Sequence, residues 1–340
     1  MSTASEIEHF EVAPGLKICR ILNGMWQVAG GHGFIDSDTA VEEMMKYHDA
    51  GFTTWDLADI YGPAEDFISR FRNRLADRRE GEIHKSQALT KWVPEPRPIS
   101  REFARASIDK SLKRMNTESI DLVQFHWWDY NNPYFIDALK YLSDLRDEDK
   151  LKHVGLTNFD TERMELIMKD GGVRIVSNQV QYSVIDRRPE QKMVGFCKNN
   201  NASILAYGTL CGGLVSEKYL GKPEPGQAEL DTLSLKKYKR MIDQWGGWDL
   251  FQELLSTLNE IAHDHGVSIS NVATRYILDR PAVAGVIIGT RLGIAQHRTD
   301  NSCVFQLHLA RRDTDAIESI LREENNLFEL IGDCGDEYRN

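Results

Sequence analysis

Four side chains that can donate a proton or stabilise charge follow three successive apolar runs of this sequence. Asp56 and Tyr61 lie in the stretch WDLADIYG, Lys91 ends ALTK, and His126 ends DLVQFH. A nearby ammonium group stabilises a phenolate and so lowers a tyrosine pKa that starts near ~10. A carboxylate would keep the lysine charged and oriented, and a histidine can orient a polar substrate group. The set therefore predicts proton donation to a carbonyl oxygen, the chemistry of carbonyl reduction.

Taken singly, these residues have ordinary structural explanations. Asp56 could accept a hydrogen bond from a loop amide, and His126 could be a core histidine packed among neighbouring aromatic rings. Lys91 is unusual even alone, because an ammonium that ends an apolar strand needs a partner. The combination of all four favours the catalytic interpretation over the structural one.

The elements that must position these residues alternate along the chain. Residues 7–20 predict a β-hairpin around Ala13-Pro14-Gly15. Eight strands are predicted after it, at 20–26, 52–58, 83–90, 120–126, 151–157, 173–182, 202–208 and 284–289. Helices are predicted at 37–50, 63–79, 100–115, 132–149, 160–169, 188–200, 248–266 and 268–279, with Ser37 or Asp38 capping the first and Ser100 the third. This pattern indicates the α/β class and a (β/α)8 TIM barrel, whose chemistry lies at the carboxyl ends of the strands.

Length and spacing predict one domain over residues 1–340, with a core at about 16–322 and a C-terminal tail at 323–340. A long irregular stretch, 209–246, leaves the end of the seventh predicted strand. Loops of this length in a compact domain are usually functional or disordered. We therefore expect a mobile cover over the active end of the barrel.

Composition excludes several classes of function. The formal net charge of −11 argues against phosphate-backbone binding, so no nucleic-acid partner is expected. No run reaches the roughly 18 apolar residues of a membrane helix, so no membrane partner is expected. The five cysteines are scattered and show no CxxC spacing, which favours a reducing compartment and no metal site. The polar, acidic start MSTASEIEHFEV is not a signal peptide, and we expect a cytoplasmic protein.

Dispersed motifs make the chain similar to the aldo-keto reductase family from about residue 16 to about residue 322. The family's DxAxxYG motif is matched at Asp56, Ala58, Tyr61 and Gly62, and its lysine strand end at Lys91. The matches continue in order with IDLxxxHW at 120–127, GLTNF at 155–159, Asn178-Gln179 and Tyr207. The run CGGLVSEKY at 211–219 resembles the version found in potassium-channel β-subunits and in related bacterial and plant oxidoreductases.

The resemblance implies an NAD(P)H-dependent carbonyl reductase with a nicotinamide across the top of the barrel. Tyr61 would be the general acid, with Lys91 lowering its pKa, Asp56 holding Lys91, and His126 orienting the carbonyl. The positions that the resemblance assigns to cofactor binding are Gly24, Met25, Thr157, Asn158, Gln179, Tyr207, Gly208, Leu210, Gly212, Lys218, Gly289, Arg291, His297, Arg298, Asp300 and Asn301. Of these, Thr157, Asn158 and Gln179 would bind the carboxamide, and Tyr207 would stack on the nicotinamide ring.

The adenosine end of the cofactor falls on GTRLGIAQHRTDN, where the match is looser. Arg291, His297 and Arg298 compete there for the 2′-phosphate, and three basic side chains favour NADPH over NADH. Asp300 and Asn301 would meet the adenine.

Tryptophans that follow predicted strands are the expected wall of the substrate pocket. Trp26, Trp92 and Trp127 are assigned to it, while rim packing is the alternative for Trp92 and for Trp128. The expected partner is a small carbonyl compound of unknown identity, and the sequence does not reveal an oligomeric partner.

Two other functions remain open at this point. Channel β-subunit relatives keep the fold and cofactor but serve mainly as regulatory partners, so the chain could bind cofactor with little turnover. An unrelated barrel lyase or isomerase could instead use Lys91 to form a Schiff base.

Overall fold

The computed structural model describes residues 7–30, 35–78 and 81–339. An antiparallel hairpin opens the fold, with β1 at His9–Ala13 and β2 at Leu16–Cys19. Eight parallel strands follow and close into a barrel in chain order, with the last strand pairing with the first. They are β3 (Ile21–Gly24), β4 (Thr54–Asp56), β5 (Gln87–Trp92), β6 (Leu122–His126), β7 (Val154–Thr157), β8 (Ser177–Gln181), β9 (Ser203–Tyr207) and β10 (Val283–Gly289). The predicted hairpin and (β/α)8 barrel are both confirmed.

The helices that surround the barrel include the eight predicted ones, of which the sixth begins at Met193 instead of residue 188, and further helices at Leu233–Trp245, Arg298–Cys303, Arg311–Leu321 and Leu327–Ile331 that were not predicted. They are α1 (Ser37–Asp49), α2 (Ala64–Arg78), α3 (Arg101–Met115), α4 (Phe135–Asp147), α5 (Thr161–Lys169), α6 (Met193–Asn199), α7 (Leu233–Trp245), α8 (Gly247–His265), α9 (Ile269–Leu278), α10 (Arg298–Cys303), α11 (Arg311–Leu321) and α12 (Leu327–Ile331). The Ser100 hydroxyl caps α3 by accepting from the Phe103 amide at 3.2 Å, as predicted. Helix α1 is capped by Asp36, one residue before the predicted candidates.

The stretch 209–246 is not irregular throughout, and the prediction was wrong there. Its last third is helix α7, which begins where the Thr232 hydroxyl accepts from the Leu235 amide. Tyr238, Ile242 and Trp245 recur at helical spacing and are buried against the rest of the fold. Burial of this apolar stripe explains why a helix forms immediately after a segment rich in glycine and proline.

Strand register stacks the barrel interior in two levels. At the carboxyl ends, Lys91 is the register partner of Gln124, and Thr157 is the partner of Gln179. Below them lies an apolar cluster in which hairpin residues pack against the inward leucines of the strands, with Leu16, Ile18, Leu22, Leu89, Leu122 and Leu205 as members. The hairpin therefore closes the end of the barrel opposite the polar level. In the described part of the chain, no helix combines the length and apolar character needed to cross a membrane.

Candidate active site

The four residues singled out from sequence meet at the carboxyl end of the barrel. Asp56 is the last residue of β4, Lys91 lies near the end of β5, and His126 ends β6. Tyr61 lies in the turn between β4 and α2, and its ring centroid is 5.1 Å from the Lys91 ammonium. Neighbouring parallel strands thus bring an acid, an ammonium and an imidazole to one rim, as is usual for barrel enzymes.

Asp56 and Lys91 form a buried ion pair. The Lys91 Nζ donates to both carboxylate oxygens of Asp56, at 2.8 and 2.7 Å, and to the Leu57 carbonyl at 3.1 Å. Both side chains are only 4% exposed. Burial lowers the pKa of Lys91, and the Asp56 carboxylate opposes that shift. A charged, carboxylate-bound ammonium is poorly suited to the nucleophilic amine that a Schiff-base mechanism needs.

Two amide side chains complete the environment of Asp56. Its Oδ1 accepts from Gln124 Nε2 at 3.0 Å and from Gln179 Nε2 at 2.7 Å, and the Gln179 amide also donates to Gln124 Oε1 at 2.8 Å. Sequence reasoning missed Gln124, although a polar residue two positions before His126 in an otherwise apolar strand points to the same face. It also assigned Gln179 to the nicotinamide carboxamide, whereas here the Gln179 NH2 group is directed to Asp56 and Gln124.

The pKa of Tyr61 is shifted opposite to the sequence expectation. Burial raises it well above its ordinary value, and the Asp56 carboxylate and the Tyr338 phenol add to the rise. The expected lowering by Lys91 does not prevail because Asp56 already balances the ammonium charge at contact distance. Tyr61 is therefore held as a neutral phenol that carries its proton.

His126 is neutral and its tautomer follows from its partner. Its Nδ1 lies 3.0 Å from the Thr157 carbonyl oxygen, which can only accept, so Nδ1 carries the hydrogen. Burial lowers the pKa of His126 to about 4. Its Nε2 is buried without a hydrogen-bond partner among the described residues. In this tautomer Nε2 is an acceptor, so it is matched to a hydroxyl group and not to a carbonyl oxygen.

The tryptophans divide into two pairs. Trp26 is 38% exposed and packs edge-on against the Tyr61 ring, with centroids 5.1 Å apart. Trp128 is 39% exposed and its ring lies 4.3 Å from that of His126. Trp92 and Trp127 are buried on either side of Phe125, at 5.4 and 5.8 Å.

Of the three predicted pocket tryptophans, Trp26 therefore remains a candidate, whereas Trp92 and Trp127 are buried and Trp128 is the exposed tryptophan beside His126. Trp92 follows the inward-pointing Lys91, so strand alternation turns its ring outward to the helix layer. Trp127 is anchored there by its indole N–H, which donates to the Asp129 and Asn132 carbonyls. Trp26 and Trp128 are the two tryptophans with surface available beside Tyr61 and His126.

Residues expected to hold a nicotinamide lie on β7, β8 and β9. The Thr157 hydroxyl is buried without a hydrogen-bond partner among the described residues, as a site for a carboxamide would require. Asn158 follows it with a left-handed backbone (φ +57°), and its Oδ1 accepts from the Tyr207 hydroxyl at 2.9 Å. The carboxyl ends of β7 and β9 thus carry one buried hydroxyl without a partner in the described structure and one hydrogen-bonded amide–phenol pair.

Glycines at the strand ends provide close backbone approach. A Cβ on Gly24 would lie 2.8 Å from the Ile287 side chain, and one on Gly289 would meet the Gln27 amide. Met25 is buried and its amide donates to the Asp56 carbonyl. Gly24, Met25 and Gly289 therefore form the closely packed backbone below the site and contribute no exposed side chain to it.

The segment expected to meet the pyrophosphate follows β9. Gly208 and Gly212 have left-handed φ angles of +74° and +67°, and a Cβ at either would crowd helix α7. Leu210 between them is half-buried, and Lys218 is exposed with its ammonium over the Tyr219 ring. The turn therefore presents the exposed Gly212 and the exposed Lys218 cation at this edge of the barrel.

The basic residues of the expected 2′-phosphate site are not equivalent. Arg291 and His297 are exposed, whereas Arg298 is paired with Glu43 at 2.5 Å. Asp300 accepts from Ser268 and Asn271 and is directed toward α9, while Asn301 is buried. Arg298 would have to leave Glu43 to bind a phosphate, so Arg291 and His297 are the better-placed cations.

The arrangement contains no grouping of three His, Cys, Asp or Glu side chains able to hold a metal ion within residues 7–30, 35–78 and 81–339.

Comparisons with known proteins agree with the barrel. The model of the aldo/keto reductase family matches residues 20–322. The chain is 28% identical over 286 residues to aldo-keto reductase YhdN of Bacillus subtilis, covering 82% of each chain. It is 27% identical over 288 residues to L-glyceraldehyde 3-phosphate reductase of Escherichia coli, covering 81% of each.

Among solved structures, the glycerol dehydrogenase AKR11B4 of Gluconobacter oxydans superposes with a TM-score of 0.75 at 22% identity. The superposition covers 94% of this chain and 96% of that one, and at this identity it shows the fold. The family match across most of the sequence shows more: the chain belongs to the aldo/keto reductase family, as an oxidoreductase whose chemistry is carbonyl reduction.

Proposed function

We propose that this protein reduces aldehydes and ketones to alcohols with NADPH, with Tyr61 as the proton donor. The observation that supports this most directly is the buried Asp56–Lys91 pair beside the Tyr61 ring, next to a histidine nitrogen that has no partner among the described residues. Preset polar groups of this kind stabilise charge that develops on a reacting oxygen. A bound NADPH would supply the hydride.

Tyr61 delivers the proton from its hydroxyl oxygen. Its raised pKa keeps the phenol protonated across the neutral pH range, so Tyr61 carries the proton to be donated before the substrate binds. Lys91 stabilises the negative charge that grows on the phenol oxygen as the proton leaves. Such proton donation contributes about 10²–10⁴-fold to a rate.

His126 orients the reacting group by accepting a hydrogen bond. Because Nδ1–H donates to the Thr157 carbonyl, Nε2 can receive a hydrogen bond from the product alcohol or from a second hydroxyl of the substrate. Donation to the carbonyl oxygen is left to Tyr61 alone. Trp26 and Trp128 are the aromatic surfaces on which an apolar part of the substrate would rest.

The preference for NADPH is proposed from charge. Arg291 and His297 are exposed basic side chains near the end of β10, where a 2′-phosphate needs a cationic partner. Thr157, Asn158 and Tyr207 would hold the nicotinamide end. Gly208, Leu210, Gly212 and Lys218 would face the pyrophosphate.

The test is NADPH oxidation, followed by absorbance, with a panel of aliphatic and aromatic aldehydes and with NADH as the comparison cofactor. Tyr61→Phe should lower kcat by about 10²–10⁴-fold while NADPH affinity, measured by fluorescence quenching, stays within about twofold. Tyr134→Phe, which removes an exposed phenol, is the matched control and should change neither quantity.

Retention of most of kcat by Tyr61→Phe would refute the proposed donor. Tight binding of NADPH without turnover of any carbonyl compound would instead favour a cofactor-binding regulatory subunit.

A further inference from the structure

The last described residues of the chain cover the candidate active site. The segment Gly335–Arg339 follows helix α12 and lies beyond residue 322, where the family match ends. Gly335 is buried and the other four residues are half-buried. This 335–339 segment is therefore packed onto the barrel and not extended into solvent.

Tyr338 reaches the rim of the barrel. Its hydroxyl lies 3.0 Å from the Tyr207 hydroxyl and accepts from the Lys237 ammonium. Its ring is edge-on to those of His126 and Trp128, with centroids 6.3 and 6.4 Å away. The phenol thus stands directly over the histidine whose Nε2 has no partner in the described structure, and His126 is only 3% exposed.

Arg339 fastens the segment to the loops that follow β6 and β7. Its guanidinium donates to the Asn158 carbonyl at 2.7 Å and to the Trp127 carbonyl at 2.5 Å. The same group lies 3.9 Å from the Tyr130 ring centroid, at stacking distance. One side chain therefore ties the segment to the backbone of Asn158, a proposed nicotinamide residue, and to that of Trp127.

Glu337 adds an ionic anchor. Its carboxylate pairs at 3.0 Å with Arg188, which is 1% exposed and also paired with Asp186 at 2.8 Å. The other Glu337 oxygen lies 3.5 Å from the Tyr207 hydroxyl. Aromatic, cationic and anionic contacts thus converge on Tyr207 and Asn158 from one short segment.

Gly335 permits this close approach. Its backbone is left-handed (φ +90°), and a Cβ there would lie 2.1 Å from the Asn158 carbonyl oxygen. Backbone atoms cannot move aside as the end of a long side chain can. Replacement of this glycine would lift the segment from Asn158 while removing none of its polar groups.

We propose that the 335–339 segment is an autoinhibitory plug, which occupies the place of the nicotinamide and the substrate carbonyl and must leave before either binds. The inference rests on the proposed assignment of Asn158 and Tyr207 to the nicotinamide. In the plugged state the segment satisfies Tyr207 and the Asn158 carbonyl, and it closes solvent access to His126. Cofactor binding is then a competition between an external ligand and a tethered one.

The competition has a measurable consequence for affinity. When only a fraction of the protein is competent to bind, the apparent Kd is the intrinsic Kd divided by that fraction. Gly335→Ala and Arg339→Ala should each raise the open fraction and lower the apparent Kd for NADPH, at least fivefold. Gly335→Ala acts by a steric clash, and Arg339→Ala acts by loss of hydrogen bonds. A lower Kd in both variants would therefore come from displacement of the segment.

Matched controls separate the plug from general effects. Gly172→Ala introduces the same strain at a left-handed glycine (φ +65°) with open space around it. Arg322→Ala removes an exposed arginine before the segment. Neither should change the apparent Kd for NADPH or NADH, and circular dichroism should show all four variants folded.

A second readout follows the segment itself. Backbone hydrogen exchange at residues 335–339 should become faster when saturating NADPH is added to the unaltered protein. An unchanged Kd in both segment variants, or slower exchange on addition of NADPH, would overturn the proposal, because the segment would then belong to the bound state.

These outcomes are independent of turnover. If NADPH opens the segment but no carbonyl compound is reduced, the plug stands and the proposed function fails. If aldehydes are reduced while the segment variants show unaltered affinity and exchange, the plug fails and the proposed function stands.

Discussion

Lys91→Met should slow carbonyl reduction by an amount set by the distance between the ammonium and the phenol. The ammonium lies 5.1 Å from the centroid of the Tyr61 ring, and at about that separation and an effective dielectric constant of about 20 two unit charges interact by about 3 kcal/mol. That value applies if a full negative charge forms on Tyr61 in the transition state, and half that charge corresponds to about half the energy. Since about 1.4 kcal/mol is tenfold in rate, kcat should fall by about 10- to 200-fold.

The substitution also leaves the Asp56 carboxylate buried with only Gln124 and Gln179 as donors. Breaking one member of a buried ion pair costs about 3–5 kcal/mol, so the free energy of unfolding should fall by about that amount. The double variant Asp56→Asn/Lys91→Met removes the unpaired charge. It should recover part of the stability in urea unfolding and part of the activity, because Asp56 no longer opposes negative charge on Tyr61.

The assay is steady-state NADPH oxidation with one saturating aldehyde, measured on protein that circular dichroism shows to be folded. A kcat for Lys91→Met within twofold of the original would refute the reasoning, because the ammonium would then contribute nothing to the phenol. A double variant no more active than Lys91→Met would show instead that the Asp56 charge does not act on the phenol.

Three further expectations concern other parts of the site. Gln124→Leu removes a hydrogen bond to the buried Asp56 carboxylate and should lower the free energy of unfolding by about 1.5–3 kcal/mol, seen in urea titrations; an unchanged midpoint would mean that Gln179 and Lys91 suffice. The pKa of His126 lies at about 4, below the value near 6.5 of the unfolded chain, so the stability from its neutral burial is present above pH 6.5 and is lost as pH falls toward 4. His126→Asn should therefore lose less stability over that interval than the original protein, and equal slopes would contradict the burial argument. Arg291→Ala should raise the KM for NADPH by about tenfold or more and leave the KM for NADH unchanged. Arg298→Ala removes a side chain that is already paired with Glu43, so its effect on the KM for NADPH should be smaller. A larger effect of Arg298→Ala than of Arg291→Ala would identify Arg298 as the phosphate ligand.

The barrel could be predicted because its signals are local and repeated. Eight apolar runs alternating with helix-period segments constrain the topology strongly, and turn residues such as Ala13-Pro14-Gly15 define the hairpin. The strand ends were placed less well: residues 83–85 form a turn of 3-10 helix before β5 rather than part of the strand. Strand boundaries depend on pairing with neighbours, which a single segment does not contain.

The site was predictable in composition but not in its electrostatics. Motif order brought Asp56, Tyr61, Lys91 and His126 to one rim, as the structure places them. The direction of the Tyr61 pKa shift was wrong because it depends on burial and on how fully Asp56 balances Lys91. Trp92 was assigned to the pocket, although alternation from Lys91 already directed it outward.

Contacts between residues that are distant in sequence could not be predicted from the local sequence patterns. Nothing in the residues around 335–339 indicates that Arg339 would meet the carbonyls of Asn158 and Trp127, more than 180 positions earlier. Such contacts depend on the path of the chain after the barrel is complete.

The polar carboxyl end of the barrel and the apolar cluster near the hairpin have different roles: the first holds the proton donors, and the second contributes to stability. The apolar cluster beneath the rim, built from hairpin residues such as Leu16 and strand residues such as Leu89, contributes cohesion without touching a proton donor. Substitutions there can alter how long the enzyme survives heat or proteases while leaving its catalytic repertoire intact. Conversely, the rim and its loops can diversify toward new substrates on a foundation that need not change. Stability and turnover can therefore be altered separately in this barrel, because the hairpin cluster lies at the end opposite the proton donors.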